Sequence, residues 1–213
     1  MKKLLFILVL IVPFYACQND NIGNGNNSKN TEKAKADLRK VDKQFVNNSN
    51  AFSFNLSQKL DSHTFLSENY MVSPLSIHLA LGMLLNGANE NTATEIKDVL
   101  GFESSNMEEI NENYRNLIYS LPELDNVVDL GIANSVWHDE NYIVKDDFLQ
   151  TLNTSFDAEI TGYDFRRADA PQVINNWVAN KTNNLIEKMI EEIKPEEVMF
   201  LINALYFKGD WTV

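Results

Sequence analysis

The chain has 213 residues, 44% of them hydrophobic and 23% charged, a balance that supplies a real core for one or two globular domains and argues against disorder as the default. Its formal net charge of −12 argues against nucleic acid as a partner, because a phosphate backbone is held by clustered Lys and Arg. The one basic doublet, Arg166-Arg167, lies between Asp164 and Asp169.

The first residues read as an export signal. Lys2 and Lys3 precede an apolar run, Leu4 to Val12, that is too short to span a bilayer, and Pro13 and "FYAC" follow. Cys17 is the single cysteine, so it can form no internal disulfide and share no Cys-based metal site. Its position after Ala16 and the apolar run resembles a bacterial lipobox, in which the thiol is acylated and becomes the mature first residue. Phe14 and Tyr15 depart from that pattern, which leaves ordinary cleavage with a leftover thiol as the alternative. Residues 18–36, "QNDNIGNGNNSKNTEKAKA", have the polar, Asn- and Gly-rich composition of a flexible tether. The expected organisation is a signal peptide over 1–16, a lipid-anchor cysteine with its tether over 17–37, and a folded domain from 38 to 213.

Apolar residues at Val41, Phe45, Phe52, Leu56 and Leu60 predict a one-sided helix over 41–60. "NYMV" is a short strand candidate running into "SPLSIHLALGMLLNG", where Ser73 is a natural N-cap, Pro74 fits the first helical position and Gly87 marks the stop. This second helix has almost no polar face and should be buried on most sides. "NTATEIKDVLGF" predicts a short helix opened by Asn91 or Thr92 and closed by Gly101, and "NMEEINENYRNLIYSLPEL" predicts another with an acidic outer face. "VVDLGIANSVWHDE" reads as a strand, "KDDFLQTLNTSF" as a helix and "AEITGYDF" as a second strand. Asp169 can then cap a helix with Pro171 in its first turn and an apolar stripe of Val173, Ile174, Trp177 and Val178. The closing run "MFLINALYFKG" is apolar on both alternating sets, as in a strand covered on both faces. Asn203 within it becomes a buried amide. Leaving it unpartnered costs roughly 1–3 kcal/mol, and Ser73 and Ser76 are the obvious candidates to meet it.

Several of these segments, in this order and spacing, resemble the serpin family: "VSPLSIHLALGMLLNGA" with "TATEI", then "IANSVW", "AEITGYDF", "INNWVANKTNN" and finally "INALYFKGDW". The resemblance covers most of residues 40–213. It implies a mixed α/β, multidomain-type fold with a large central sheet, the buried helix behind it and the Trp177 helix across its front. It also implies that Ser73, Ser76 and Asn203 belong to the shutter, behind the point where the sheet opens, and that Trp211 belongs to the breach, where an inserting loop first enters. Glu90 stands in a turn where glycine is frequent in the family, so that turn is expected to differ. Helix 107–121 matches a segment that is basic in relatives binding heparin-like polyanions. Here it carries Glu108, Glu109 and Glu112, which argues against such a partner at that surface.

The function implied is inhibition of a serine-type, and in some cases cysteine, endopeptidase by a suicide-substrate mechanism in which a cleaved loop inserts into the sheet. Strand insertion by serpins is a well-known example of this recognition mode. In the family the reactive loop, and a histidine that completes the shutter network, follow the "FKGDW" strand. Residues 38–213 are accordingly expected to be an N-terminal portion, incomplete at the C-terminus and inactive alone. A lipid-anchored binding protein that keeps the fold without inhibiting is the alternative. A serine hydrolase is remote: no Gly-x-Ser-x-Gly elbow is present, and Ser73 before a proline reads as a cap. His63, His78 and His138 lack metal-ligand spacing and read as surface or cap histidines. No catalytic residue, metal or other cofactor is expected.

Overall fold

A computed structural model describes residues 40–62 and 70–210. The signal and tether segments with Cys17, and also His63 and Trp211, lie outside the described residues. Four helices come first: α1 (Lys43–Ser62), α2 (Pro74–Leu85), α3 (Glu90–Leu100) and α4 (Met107–Ser120). Strands then alternate with helices as β1 (Val128–Asp139), α5 (Asp146–Phe156), β2 (Ala158–Tyr163), α6 (Ala170–Lys181) and β3 (Met199–Gly209).

Local chemistry sets the boundaries. Ser73 caps α2, its Oγ accepting the backbone N–H of Ser76, and Pro74 occupies the first position, where its missing N–H costs nothing. Gly101 closes α3 at φ +76°, a conformation that favours glycine, while Asn48 of α1 donates its side-chain amide to the Gly101 carbonyl. Glu90 adopts φ +51°, so a bulky side chain does occupy a left-handed position in that turn. Three expectations fail. Helix α3 opens at Glu90 with Asn89 in the cap position and no side-chain cap bond, rather than at Asn91 or Thr92. Tyr70–Val72, the described part of the "NYMV" candidate, forms no strand, and it has no ladder partner among the described residues. Asp169 stands at the cap position of α6 but makes no cap bond, because its carboxylate is engaged by the Arg167 guanidinium at 2.8 and 2.9 Å. That pairing draws the Asp169 carboxyl down to about 2, and Arg166 is likewise bonded to Asp164.

The three strands make one sheet in the order β2-β1-β3, with β1 parallel to β2 and antiparallel to β3. Successive side chains alternate between faces. On one face Val136, Met199 and Leu201 join a core built with α1, α2, α4 and α5. On the other, Trp137, Phe200 and Ile202 pack with Ile174 and Val178 of α6. Over Met199–Ile202 β3 packs on both faces, as its apolar run predicts, but the cover does not reach the strand's far end, where Phe207 is 63% exposed. Among the described residues β3 pairs along one side only, with β1. Helix α2 is less enclosed than its composition suggests, with Leu84 45% exposed.

Candidate functional site

Of the residues singled out from the sequence, Ser73, Ser76 and Asn203 are described, and they belong to α2, its cap and the strand it packs on. Asn203 follows Leu201 by two positions and therefore shares its face, and α2 packs on β3. At the start of α2 the Ser76 hydroxyl donates to Ser73 Oγ at 2.9 Å, beside the capping bond of 3.2 Å. Both serines are half-buried.

The expected bond from Asn203 to these serines is not formed. Asn203 Nδ2 instead donates to Asn134 Oδ1 at 2.9 Å, and Asn134 Nδ2 donates to the Phe156 carbonyl at 2.7 Å. The physical reason is register: Asn134 lies directly opposite Asn203 across the β1–β3 ladder, which brings the two side chains together on one face. Asn134 is 2% exposed. Asn203 Oδ1 is buried and accepts no hydrogen bond among the described residues. The site is therefore a chain from Phe156 through Asn134 to Asn203 with a free acceptor at its end. Among the described residues its contacts are hydrogen bonds between uncharged groups.

Sequence reasoning gave Asn134 no role, although a lone amide in "IANSVW" raises the same question as the one in "INALYF". Asn175 was also missed. Its Oδ1 accepts the N–H groups of Met189 and Ile190 at 2.8 and 2.9 Å, and its Nδ2 donates to the Ile190 carbonyl at 2.7 Å, fixing the segment between α6 and β3. On the outer surface Glu159 of β2 accepts from Trp177 Nε1 at 2.8 Å and pairs with Lys181 at 2.5 Å, which lowers its carboxyl. These bonds hold α6 across the sheet.

His78 is the third omission and a correction, because it is neither on the surface nor at a cap. The ring is 1% exposed and is surrounded by Phe45, Phe52, Phe102 and Tyr114. His138 is half-buried beside Gly162, its Nδ1 3.1 Å from the Asp139 carbonyl.

The family model described as "Serpin (serine protease inhibitor)" matches residues 47–213. The chain belongs to the serpin family. Serpin A3-5 of Bos taurus is 32% identical over 177 residues, 81% of this chain and 43% of the relative. The latent state of Tengpin, a thermophilic serpin, superposes with a TM-score of 0.73 at 36% identity, over 80% of this chain and 45% of that one. Human thyroxine-binding globulin complexed with thyroxine gives a TM-score of 0.67 at 32% identity, over 77% and 45%. This serpin chain spans less than half the length of the relatives it matches, and its α2, sheet and α6 correspond to part of a serpin fold.

Proposed function

We propose that the protein is a serpin-class inhibitor of serine-type endopeptidases, acting by insertion of a cleaved loop into the sheet that β3 borders. One observation supports this above the others: residues 47–213 match the family model described as a serine protease inhibitor, and among the described residues β3 lies at an edge of the sheet, the kind of position at which a strand is added. Ser73, Ser76 and Asn203 form the shutter in this reading, with Asn134 added as the partner of Asn203. The buried acceptor Asn203 Oδ1 fits a donor from the remainder of a serpin fold, and Trp211 fits the breach. The bond-breaking chemistry belongs to the protease, and no cofactor takes part.

The test mixes the full-length protein with trypsin-, elastase- and subtilisin-like serine proteases and with a papain-like cysteine protease. An SDS-stable complex with at least one of them is the expected result, and its absence from every mixture removes the inhibitor reading for those targets. The likeness to thyroxine-binding globulin, solved in complex with thyroxine, favours a second reading as a non-inhibitory binding protein. Cleavage without complex formation is its signature.

The front of the chain adds a location to this reading. Export over residues 1–16 and acylation at Cys17 would hang the domain from a bacterial envelope membrane by residues 17–37. Growth with labelled palmitate is expected to label the wild type and not Cys17→Ala, and equal labelling of both would remove the anchor.

A further inference from the structure

The buried ring of His78 makes one polar contact system. Tyr114 Oη lies 3.0 Å from His78 Nδ1 and donates to the His78 carbonyl at 3.1 Å. A phenol has one hydrogen. Spending it on the carbonyl makes Nδ1 the N–H donor to the phenol oxygen and leaves Nε2 with a bare lone pair. Nε2 has no partner among the described residues.

The groups facing the ring come from every neighbouring element. Helix α1 contributes Phe45 and Phe52, the segment after α3 contributes Phe102, and α4 contributes Tyr114. Among the described aromatic neighbours of the ring Tyr114 is the titratable one, and its phenol is itself pushed up by burial. Among the described residues the rings facing the imidazole are uncharged, and burial is the cause that lowers its proton affinity.

We propose that His78 is an acid-sensitive latch that joins α2 to α1 and α4 while neutral and releases them when Nε2 takes up a proton. The proton has an open lone pair to occupy but produces an N–H without an acceptor and a charge without a counter-ion, among aromatic rings. Such a charge is tolerated only if water reaches it. Water reaches it only if α4 or α1 lifts from α2. The latch goes beyond the inhibitor reading and stands whether or not the protein inhibits a protease.

The sign follows from burial. It lowers the imidazole from its ordinary 6.5 to about 4 in the folded protein, so the contribution is intact above 6.5 and is lost as pH falls from there toward 4. Over pH 7 to 4.5 this corresponds to a rise of roughly 50-fold in the opening equilibrium. Hydrogen exchange of the full-length protein, corrected for intrinsic rates, reads that equilibrium at the amides of α4. The rise in wild type is expected to exceed the rise in His78→Phe, which fills the same aromatic shell and cannot titrate, by that factor. Equal rises would assign the acid response to carboxylates and overturn the latch. Should His78→Phe not fold, the NMR titration of the wild-type His78 ring decides: a midpoint near 4 accompanied by opening of α4 supports the latch, and an ordinary midpoint near 6.5 sinks it.

Discussion

Gly82→Ala is expected to destabilise the full-length protein by about 3 kcal/mol, although alanine is intrinsically the better helix residue by about 1 kcal/mol. A Cβ at Gly82 would lie 2.5 Å from Cζ and 2.7 Å from Oη of Tyr114. The tyrosine has nowhere to go. Its ring is fully buried, stands 5.0 Å from Phe45 and 4.8 Å from Phe156 between centroids, and is tied by its hydroxyl to His78. His78 and Gly82 are one helical turn apart on α2, so the missing side chain makes the floor on which the phenol reaches the helix backbone. Overpacking plus strained hydroxyl bonds therefore outweigh the propensity gain. The midpoint of urea-induced loss of helical circular dichroism measures the effect. Tyr114→Leu should relieve the clash, giving a favourable coupling of about 1–2 kcal/mol in the double variant. A Gly82→Ala protein as stable as wild type would show that the ring is not held in place.

The second large effect belongs to the amide pair. Asn134→Val removes the donor to the Phe156 carbonyl and the acceptor for Asn203 Nδ2 together, leaving polar groups without partners behind the sheet. At about 1–3 kcal/mol for each stranded group, the loss should approach 4 kcal/mol. Adding Asn203→Val removes one of the stranded groups. The double variant should then be no less stable than Asn134→Val alone, a coupling of at least about 1 kcal/mol by urea denaturation. Losses that simply add would mean that the bond between the two amides contributes nothing.

Much of this architecture was legible because its determinants are local or periodic. Ser73, Pro74 and Gly101 announce the ends of α2 and α3 by capping chemistry, and the double apolar alternation of "MFLINALYFKG" announces a strand that packs on both faces over its first half. The partner of Asn203 was not legible, since it depends on which residue stands opposite across the ladder, a relation between positions 69 apart. His78 was misplaced for a similar reason. A histidine in an apolar helix can sit at a surface or in a core, and the choice is made by Phe45, Phe102 and Tyr114, which arrive from elsewhere in the chain. Asp169 shows the limit of capping signals, because a stronger, charged partner at Arg167 took its carboxylate.

The facing amides of β1 and β3 also bear on how the two strands find their alignment. Apolar alternation rejects a slip of one residue, which would turn Leu201 and Ile202 to the wrong faces. It is blind to a slip of two, which returns every side chain to its own face. Such a slip would bring Asn203 opposite Ile132 or Val136 instead of Asn134, parting the two amides inside an apolar layer. The pair thus acts as an address, selecting one alignment from a set that hydrophobic patterning alone treats as equal.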